Sequence, residues 1–288
     1  ARLKVILPIN LYYFIRDNLN NPLRLIWIIL SQFNGVIVKT IHAFTKLMGF
    51  TKSHKVLYVS YNALSDSVFQ SQGISYLKGL TKTGLDFLLL TFEKQNGQIS
   101  LTEESLRELN IDWRWLKYHK KPYLFSTLWD ILCGNIYIIY LLCKYKVEII
   151  HARGVIAAAM SFLPSLLYRC KFIFDIRSSL AGAYSSAGYW SKTSLIYKLV
   201  KFLECLFVRH SDFVVVETAA HADMLFHQSS NANLPPIEVI PCCVDLNRFH
   251  YKLVQSHAFT KLTDIKRLKL LYIGSLSGWY MLDEMLDF

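Results

Sequence analysis

No apolar, charge-free run in this sequence reaches the roughly 18–20 residues that a membrane-spanning helix needs. The longest, Leu25–Val38, Ile131–Cys143 and Gly154–Tyr168, stop at 14, 13 and 15 residues. Each is interrupted by a polar residue or a proline: Gln32 and Asn34, Asn135, Pro164. They read as buried helices of a folded core. No secretory leader shows at the start, which lacks a compact apolar stretch followed by a small-residue cleavage site. Position 1 is alanine rather than methionine, so further residues are expected upstream.

Cysteine is sparse and unpatterned. The six, at 133, 143, 170, 205, 242 and 243, make no CxxC and no Cys/His spacing of a zinc site. Nor do they suggest a disulfide framework, and reduced thiols in a cytosolic protein are the expectation. Two phosphate-binding signatures are also missing. The first strand-to-helix turn, Tyr61–Gly73, holds a single glycine near the helix start, so there is no G-x-G-x-x-G fingerprint, and no Walker loop occurs anywhere. An NAD enzyme and a P-loop NTPase are thereby disfavoured.

Acids are the scarcer charge, 21 Asp+Glu against 32 Lys+Arg, for a formal net charge of +11. Charged residues are only 18% of the chain and hydrophobic ones 53%, which excludes a disordered or fibrous chain. The 288 residues allow one large domain or two small ones. The excess charge is uneven. Residues 1–50 hold six basic residues (Arg2, Lys4, Arg16, Arg24, Lys39, Lys46) and one acid, Asp17, beside Trp27 and Phe33. Such a segment suits an anionic membrane surface, or else packs on the main domain. The basic run Lys117–Lys121 reads as a solvated turn, because no interleaved aromatics suggest a nucleic-acid groove.

From residue 55 the pattern becomes regular. Apolar runs of strand length at 55–61, 87–92, 147–151, 172–176, 213–216 and 237–240 alternate with helical spacings at 71–83, 101–109, 127–143, 156–168, 195–208 and 219–226. Gly84 suits a helix C-cap. In 195–208 the apolar positions 195, 196, 199, 200, 203, 206 and 207 mark one face, with Lys198, Lys201 and Glu204 opposite. Strands apolar throughout, alternating with helices, predict a parallel sheet covered on both faces: an α/β, doubly wound, Rossmann-like domain. Residues 246–266 suit a linker, and Leu268–Ser275 with the helix start after Tyr280 opens a second, truncated Rossmann-like unit. The expected organisation is an N-terminal extension over 1–53, a domain over 54–245, a linker over 246–266 and the start of another domain over 267–288.

Ligands of such sheets gather at the carboxyl ends of the strands. Those ends carry His151-Ala152-Arg153, Asp175-Ile176-Arg177, Glu217-Thr218 and Cys242–Asp245. Arg153 and Arg177 suit bidentate binding of phosphates or sugar hydroxyls, and His151 and Asp175 suit orienting hydroxyls. Ser71, Gln72 and Gly73 fall at the expected start of the first helix, where free N–H groups suit an anion, with Ser71 as an ordinary N-cap the competing reading. Glu217 suits either a substrate or a cap on the helix from Ala219. Asp175 with Arg177 also reads as a structural ion pair, and Cys242 and Cys243 as buried small residues.

These residues resemble glycosyltransferase family 4 enzymes of the GT-B fold. The resemblance is carried in order by VSYNALSDSVFQSQGISYLKGLTKTG (59–84), EIIHARG (148–154), KFIFDIRS (171–178), FVVVET (213–218), VIPCCVDLNRF (239–249) and LLYIGSLSGWYMLDEML (270–286). It covers about residues 55–288. It implies paired Rossmann-like domains with the active site between them, an acceptor on the first and a nucleotide-sugar donor mainly on the second. It also implies retention of anomeric configuration and no cofactor or metal beyond the nucleotide-sugar co-substrate. On this basis Arg153, Asp175 and Arg177 are the candidate catalytic residues. Gln70, Ser71, Gln72, His151 and Glu217 are candidates for the acceptor, and Gly73, Gly274 and Ser275 for the donor. Many members carry His-x-His where this chain has His151-Ala152-Arg153, so that histidine's role is not transferred to Arg153.

The implied function is transfer of a sugar from a nucleotide sugar to a glycan or lipid-linked acceptor in cell-surface polysaccharide synthesis. The implied location is cytoplasmic, peripheral on the inner face of the plasma membrane, with no nucleic-acid partner. With its donor side incomplete, the 288-residue chain alone is expected to be inactive. Two other readings are a non-catalytic, membrane-associated binding module of the same fold and a GT-B-like sugar-nucleotide epimerase. The latter needs a catalytic acid constellation that the sequence does not show.

Overall fold

The computed structural model describes residues 56–94, 104–228, 234–243, 272–273 and 282–287. The expectations for 1–53 and 246–266, and for Gly274 and Ser275, lie outside them.

Seven parallel strands form one sheet in the order β3-β2-β1-β4-β5-β6-β7. They are β1 (Val56–Ser60), β2 (Phe87–Glu93), β3 (Ile111–Lys117), β4 (Ile149–Arg153), β5 (Lys171–Ile176), β6 (Phe213–Val216) and β7 (Ile237–Val239). The helices are α1 (Ser75–Thr81), preceded by a π-turn at Phe69–Ile74, then α2 (Tyr123–Lys144), α3 (Val155–Tyr168), α4 (Leu180–Ser186), α5 (Leu195–His210) and α6 (Ala219–Gln228). A last helix, α7, spans Leu282–Asp287. The fold is α/β, doubly wound and Rossmann-like, as the alternation predicts. β1 and β2 are buried along their whole length, the mark of strands covered on both faces.

The pleat sorts side chains between two cores. Leu57, Val59, Leu88, Leu90, Ile150, Ala152, Phe172, Phe174, Val214 and Val216 face α2, α3 and α5. Val56, Tyr58, Phe87, Leu89, Ile111 and Trp113 face Phe69, Ile74 and Leu77 around α1. Because strand side chains alternate, Arg153 and His151 share the α1 face with Tyr58, and Asp175 and Glu217 fall on that face too.

The structure departs from the sequence reading in four places. First, β3 is an additional edge strand. Its residues alternate buried and half-exposed, with Asp112 and Arg114 between Ile111, Trp113 and Trp115, so it lacks a continuous apolar run. Second, the first helix opens at 67, not 71. Asp66 starts it, its Oδ1 accepting from Val68 N at 3.0 Å, so Ser71 is not the N-cap and its hydroxyl donates to Val68 O. Third, Glu204 does not lie on the solvent face of α5. It is buried, accepting from Ser179 Oγ (2.9 Å) and Ala181 N (3.1 Å) to tie down the start of α4, a helix the periodicity missed. Leu195 and Leu199, placed inward by the pattern, are exposed. Fourth, the 13-residue run Ile131–Cys143 is the later part of a 22-residue helix, α2, long and apolar enough by composition to cross a membrane. It buries one stripe only, Ser126, Asp130, Gly134, Ile138, Leu141 and Leu142.

Candidate functional site

Strand register builds the site. Arg153 and Asp175 are Cα partners across β4 and β5, and Ser60 partners Arg153 across β1 and β4. Asp175 sits next to the carboxyl end of β5, and the chain leaves it through Arg177. Its Oδ2 lies 3.5 Å from both Arg153 Nη1 and His151 Nε2, and its Oδ1 lies 3.7 Å from Arg177 Nη1. Arg177 also pairs with Glu217, one residue beyond β6.

Gln72 closes the cluster from above. Its Oε1 accepts from Arg153 Nη2 at 2.9 Å and from Arg177 Nη2 at 2.6 Å. The π-turn that carries it depends on Gly73, where a Cβ would lie 2.2 Å from Phe69 Cε2. Phe69 is fully buried, and the Arg153 guanidinium stands 5.9 Å from its ring centroid, within cation–π range. Gly73 therefore serves packing inside the helix. The free N–H expected of it at a helix start is not there, because the helix begins six residues earlier.

The chain beyond β7 joins the cluster. Cys242 Sγ donates to Glu217 Oε1 (3.1 Å) and accepts from Gln72 Nε2 (3.0 Å), while Tyr76 Oη donates to Pro241 O (2.8 Å). Cys242 and Cys243 are exposed, not buried small residues, because the segment after β7 runs over the surface of the crevice. Burial, then the hydrogen bond and charge of Glu217, push the Cys242 thiol up. Burial, followed by the negative charge of Asp175, also pushes the Tyr58 phenol up, against the pull of Arg153. Tyr58 therefore stays neutral beneath His151, whose ring lies 4.5 Å away.

The cluster is incompletely satisfied. His151 Nε2, Arg153 Nη1, Asp175 Oδ1 and Arg177 Nε are buried and make no hydrogen bond. Buried polar groups normally find partners. Three donors or ring nitrogens and one carboxylate oxygen, all on one crevice, form a set able to grip a ligand that both donates and accepts.

The expected residues thus divide. Arg153, Asp175, Arg177, His151, Glu217 and Gln72 converge. Gln70 and Ser71 do not: Gln70 Nε2 donates to Leu64 O, and Ser71 bonds within its own helix. Glu217 faces Arg177, while Thr218 accepts from His221 N to start α6, so Glu217 is not the cap. The sequence reading missed a second cluster. Asp130, wholly buried on α2, accepts from Tyr61 Oη (2.9 Å) and His119 N (3.1 Å), and its Oδ1 lies 2.5 Å from His119 Nδ1. An acid amid the apolar residues of α2 was the available signal.

A scan of protein-family models and a search of curated proteins returned no match. Solved structures do match. A glycosyltransferase from Rickettsia africae aligns at 17% identity and TM-score 0.47, covering 74% of this chain and 49% of that one. A sucrose-phosphate synthase from Thermosynechococcus elongatus aligns at 12% and 0.46, covering 67% and 49%. A UDP-N-acetylglucosamine 2-epimerase aligns at 14% and 0.45, covering 65% and 48%. The chain spans about half the length of these structures. Identities this low assign it no chemistry.

Proposed function

We propose that this chain is the acceptor-side half of a GT-B glycosyltransferase that moves a sugar from a nucleotide sugar to a hydroxyl of a glycan or lipid-linked acceptor. The observation that carries the reading is the crevice in which His151 Nε2, Arg153 Nη1, Asp175 Oδ1 and Arg177 Nε are buried and make no hydrogen bond. A purely structural ion-pair network would be expected to satisfy its own members. Sugar hydroxyls both donate and accept, and this set offers both.

In the proposed reaction an acceptor hydroxyl oxygen bonds to the anomeric carbon as that carbon's bond to the diphosphate oxygen breaks. The hydroxyl proton leaves with the nucleoside diphosphate. Asp175 Oδ1 accepts from a neighbouring hydroxyl of the acceptor and so fixes the direction of the reacting one. Arg153 Nη1 and Arg177 Nε hold neighbouring oxygens and offset the negative charge that develops on the leaving group. The resemblance to glycosyltransferase family 4 supports retention of configuration and an acceptor in surface-glycan synthesis. The net charge of +11 supports work at the cytosolic face of an anionic membrane.

The test is to incubate the protein that contains this chain with a panel of nucleotide sugars and with glycan and polyprenyl-phosphate acceptors. Mass spectrometry should report a sugar-sized mass gain on an acceptor, and loss of that gain in Asp175→Asn. Interconversion of nucleotide sugars with no acceptor product would replace this reading by the epimerase.

A further inference from the structure

We infer that the outer face of α2 is a docking surface for an anionic lipid bilayer, lying along the interface rather than crossing it. Phe125, Leu128, Leu132, Ile136 and Tyr140 follow one another at three- and four-residue steps, with Trp129 beside Leu128, and each is about half or more exposed, Phe125 reaching 71%. The stripe is about 22 Å long at 1.5 Å per residue. Single exposed apolar side chains are ordinary on a protein surface, whereas a contiguous stripe marks an interaction site.

Two observations point to lipid. The outer face carries no charge over its length: the only acid of α2, Asp130, is wholly buried against Tyr61 and His119. Cations bracket the stripe, with Lys117, Lys120 and Lys121 exposed before it and Lys144 and Lys146 after it, against the single exposed acid Glu148. Lys144 lays its stem by Tyr140, its Nζ 5.7 Å from the ring centroid, so that the head stands at the stripe's end. Aromatic and basic residues at the edges of an apolar face match the headgroup level of an anionic bilayer.

The helix does not span the membrane. Its inner stripe, including Ile138, Leu141 and Leu142, belongs to the main core with Met160 and the strands, and leaving that core would expose both sides. The inference is independent of the transferase reading, since it uses no residue of the crevice.

The test uses the full chain and flotation with vesicles of phosphatidylcholine alone or with 30% phosphatidylglycerol added, roughly the anionic share that gives a sizeable surface potential. Phe125→Ser/Trp129→Ser should lower partition to the anionic vesicles at least about 10-fold. Lys117→Gln/Lys120→Gln/Lys121→Gln should lower it with a weaker salt dependence. All five positions are exposed, so circular dichroism and the thermal midpoint should stay unchanged. Unchanged partition of the folded double variant overturns the proposal, as does binding lost only on deleting residues 1–50. A wild-type dimer that Phe125→Ser/Trp129→Ser converts to monomer, with no vesicle binding by either, overturns it in favour of self-association.

Discussion

Gln72 and Arg177 lie 105 positions apart in sequence, yet Gln72 Oε1 accepts from Arg177 Nη2 at 2.6 Å, and the same oxygen accepts from Arg153. A neutral amide thus sets the separation of two guanidinium groups without cancelling their charge. Gln72 is only half-buried, so Gln72→Ala should cost little stability. Freed to drift by an ångström, the arginines should lose about 10²-fold in transfer rate. Initial rates beside a thermal melt decide it. A fall in melting temperature with normal turnover would make Gln72 a structural staple only.

Asp175 faces His151, Arg153 and Arg177 and is 3% exposed. Asp175→Asn keeps the shape and removes the charge. Turnover should drop about 10²–10³-fold, the usual size for a lost electrostatic contact to a reacting centre. Stability should fall as well, by about 3–5 kcal/mol, because Arg153 is left buried without a counter-charge, while Arg177 keeps Glu217. Burial of this depth makes both losses large. Rates measured on the fraction shown folded by circular dichroism separate them, and wild-type turnover there would remove Asp175 from the site.

Gly73 and Gly79 sit on successive turns and should respond in opposite ways. A Cβ at Gly73 meets the buried Phe69 ring, whereas one at Gly79 meets nothing within 4 Å. Gly73→Ala should destabilise by about 1–3 kcal/mol through overpacking. Gly79→Ala should stabilise by up to about 1 kcal/mol, since alanine loses less backbone entropy in a helix. Urea titrations of both variants check the pair, and a neutral Gly73→Ala would show that Phe69 can move away from Arg153.

His221 lies beside Glu204, Val208 and Leu225 around a cavity of about 20 Å³, and its Nε2 is buried without a partner. Burial lowers its pKa below the usual 6.5, more than Glu204 raises it. Between the lowered and the ordinary value the unfolded chain holds the proton and the folded chain does not. Stability therefore rises with pH through that window and is lost as pH falls from 6.5 toward the folded value. His221→Gln should flatten the slope of unfolding free energy between pH 7 and pH 5. An unaltered slope would place the responsible group elsewhere.

The sheet and its strand ends were legible because parallel strands buried on both faces announce themselves as apolar runs. The parity of the site was legible too. In 148–154, 171–178 and 213–218 the charged residues His151, Arg153, Asp175, Arg177 and Glu217 occupy alternate positions among apolar ones, which puts them on one face. What escaped was set by tertiary partners. Strand β3 mixes charged residues among its apolar ones, and Arg114 finds its partner, Tyr145 Oη, 31 positions away. Glu204 looks like a surface residue of an amphipathic helix until α4 supplies the two donors it accepts from. Gln72 was named from its place in the first turn, but its bridge between arginines 81 and 105 positions away carries no local mark.

The strand order has a further consequence for how the crevice comes into being. The chain lays β1, β2 and β3 outward in one direction and then returns beside β1 to build β4, β5, β6 and β7 in the other. Gln72 belongs to the first excursion, and Arg153, Asp175, Arg177, Glu217 and Cys242 to the second. During synthesis Arg153 emerges long before the carboxylate opposite it, and Arg177 before Glu217. No partial product can present the whole crevice, and one ending between Arg153 and Asp175, or between Arg177 and Glu217, carries an unbalanced positive charge there. A ligand gripped there by both excursions would therefore stabilise the whole sheet against opening rather than one edge of it.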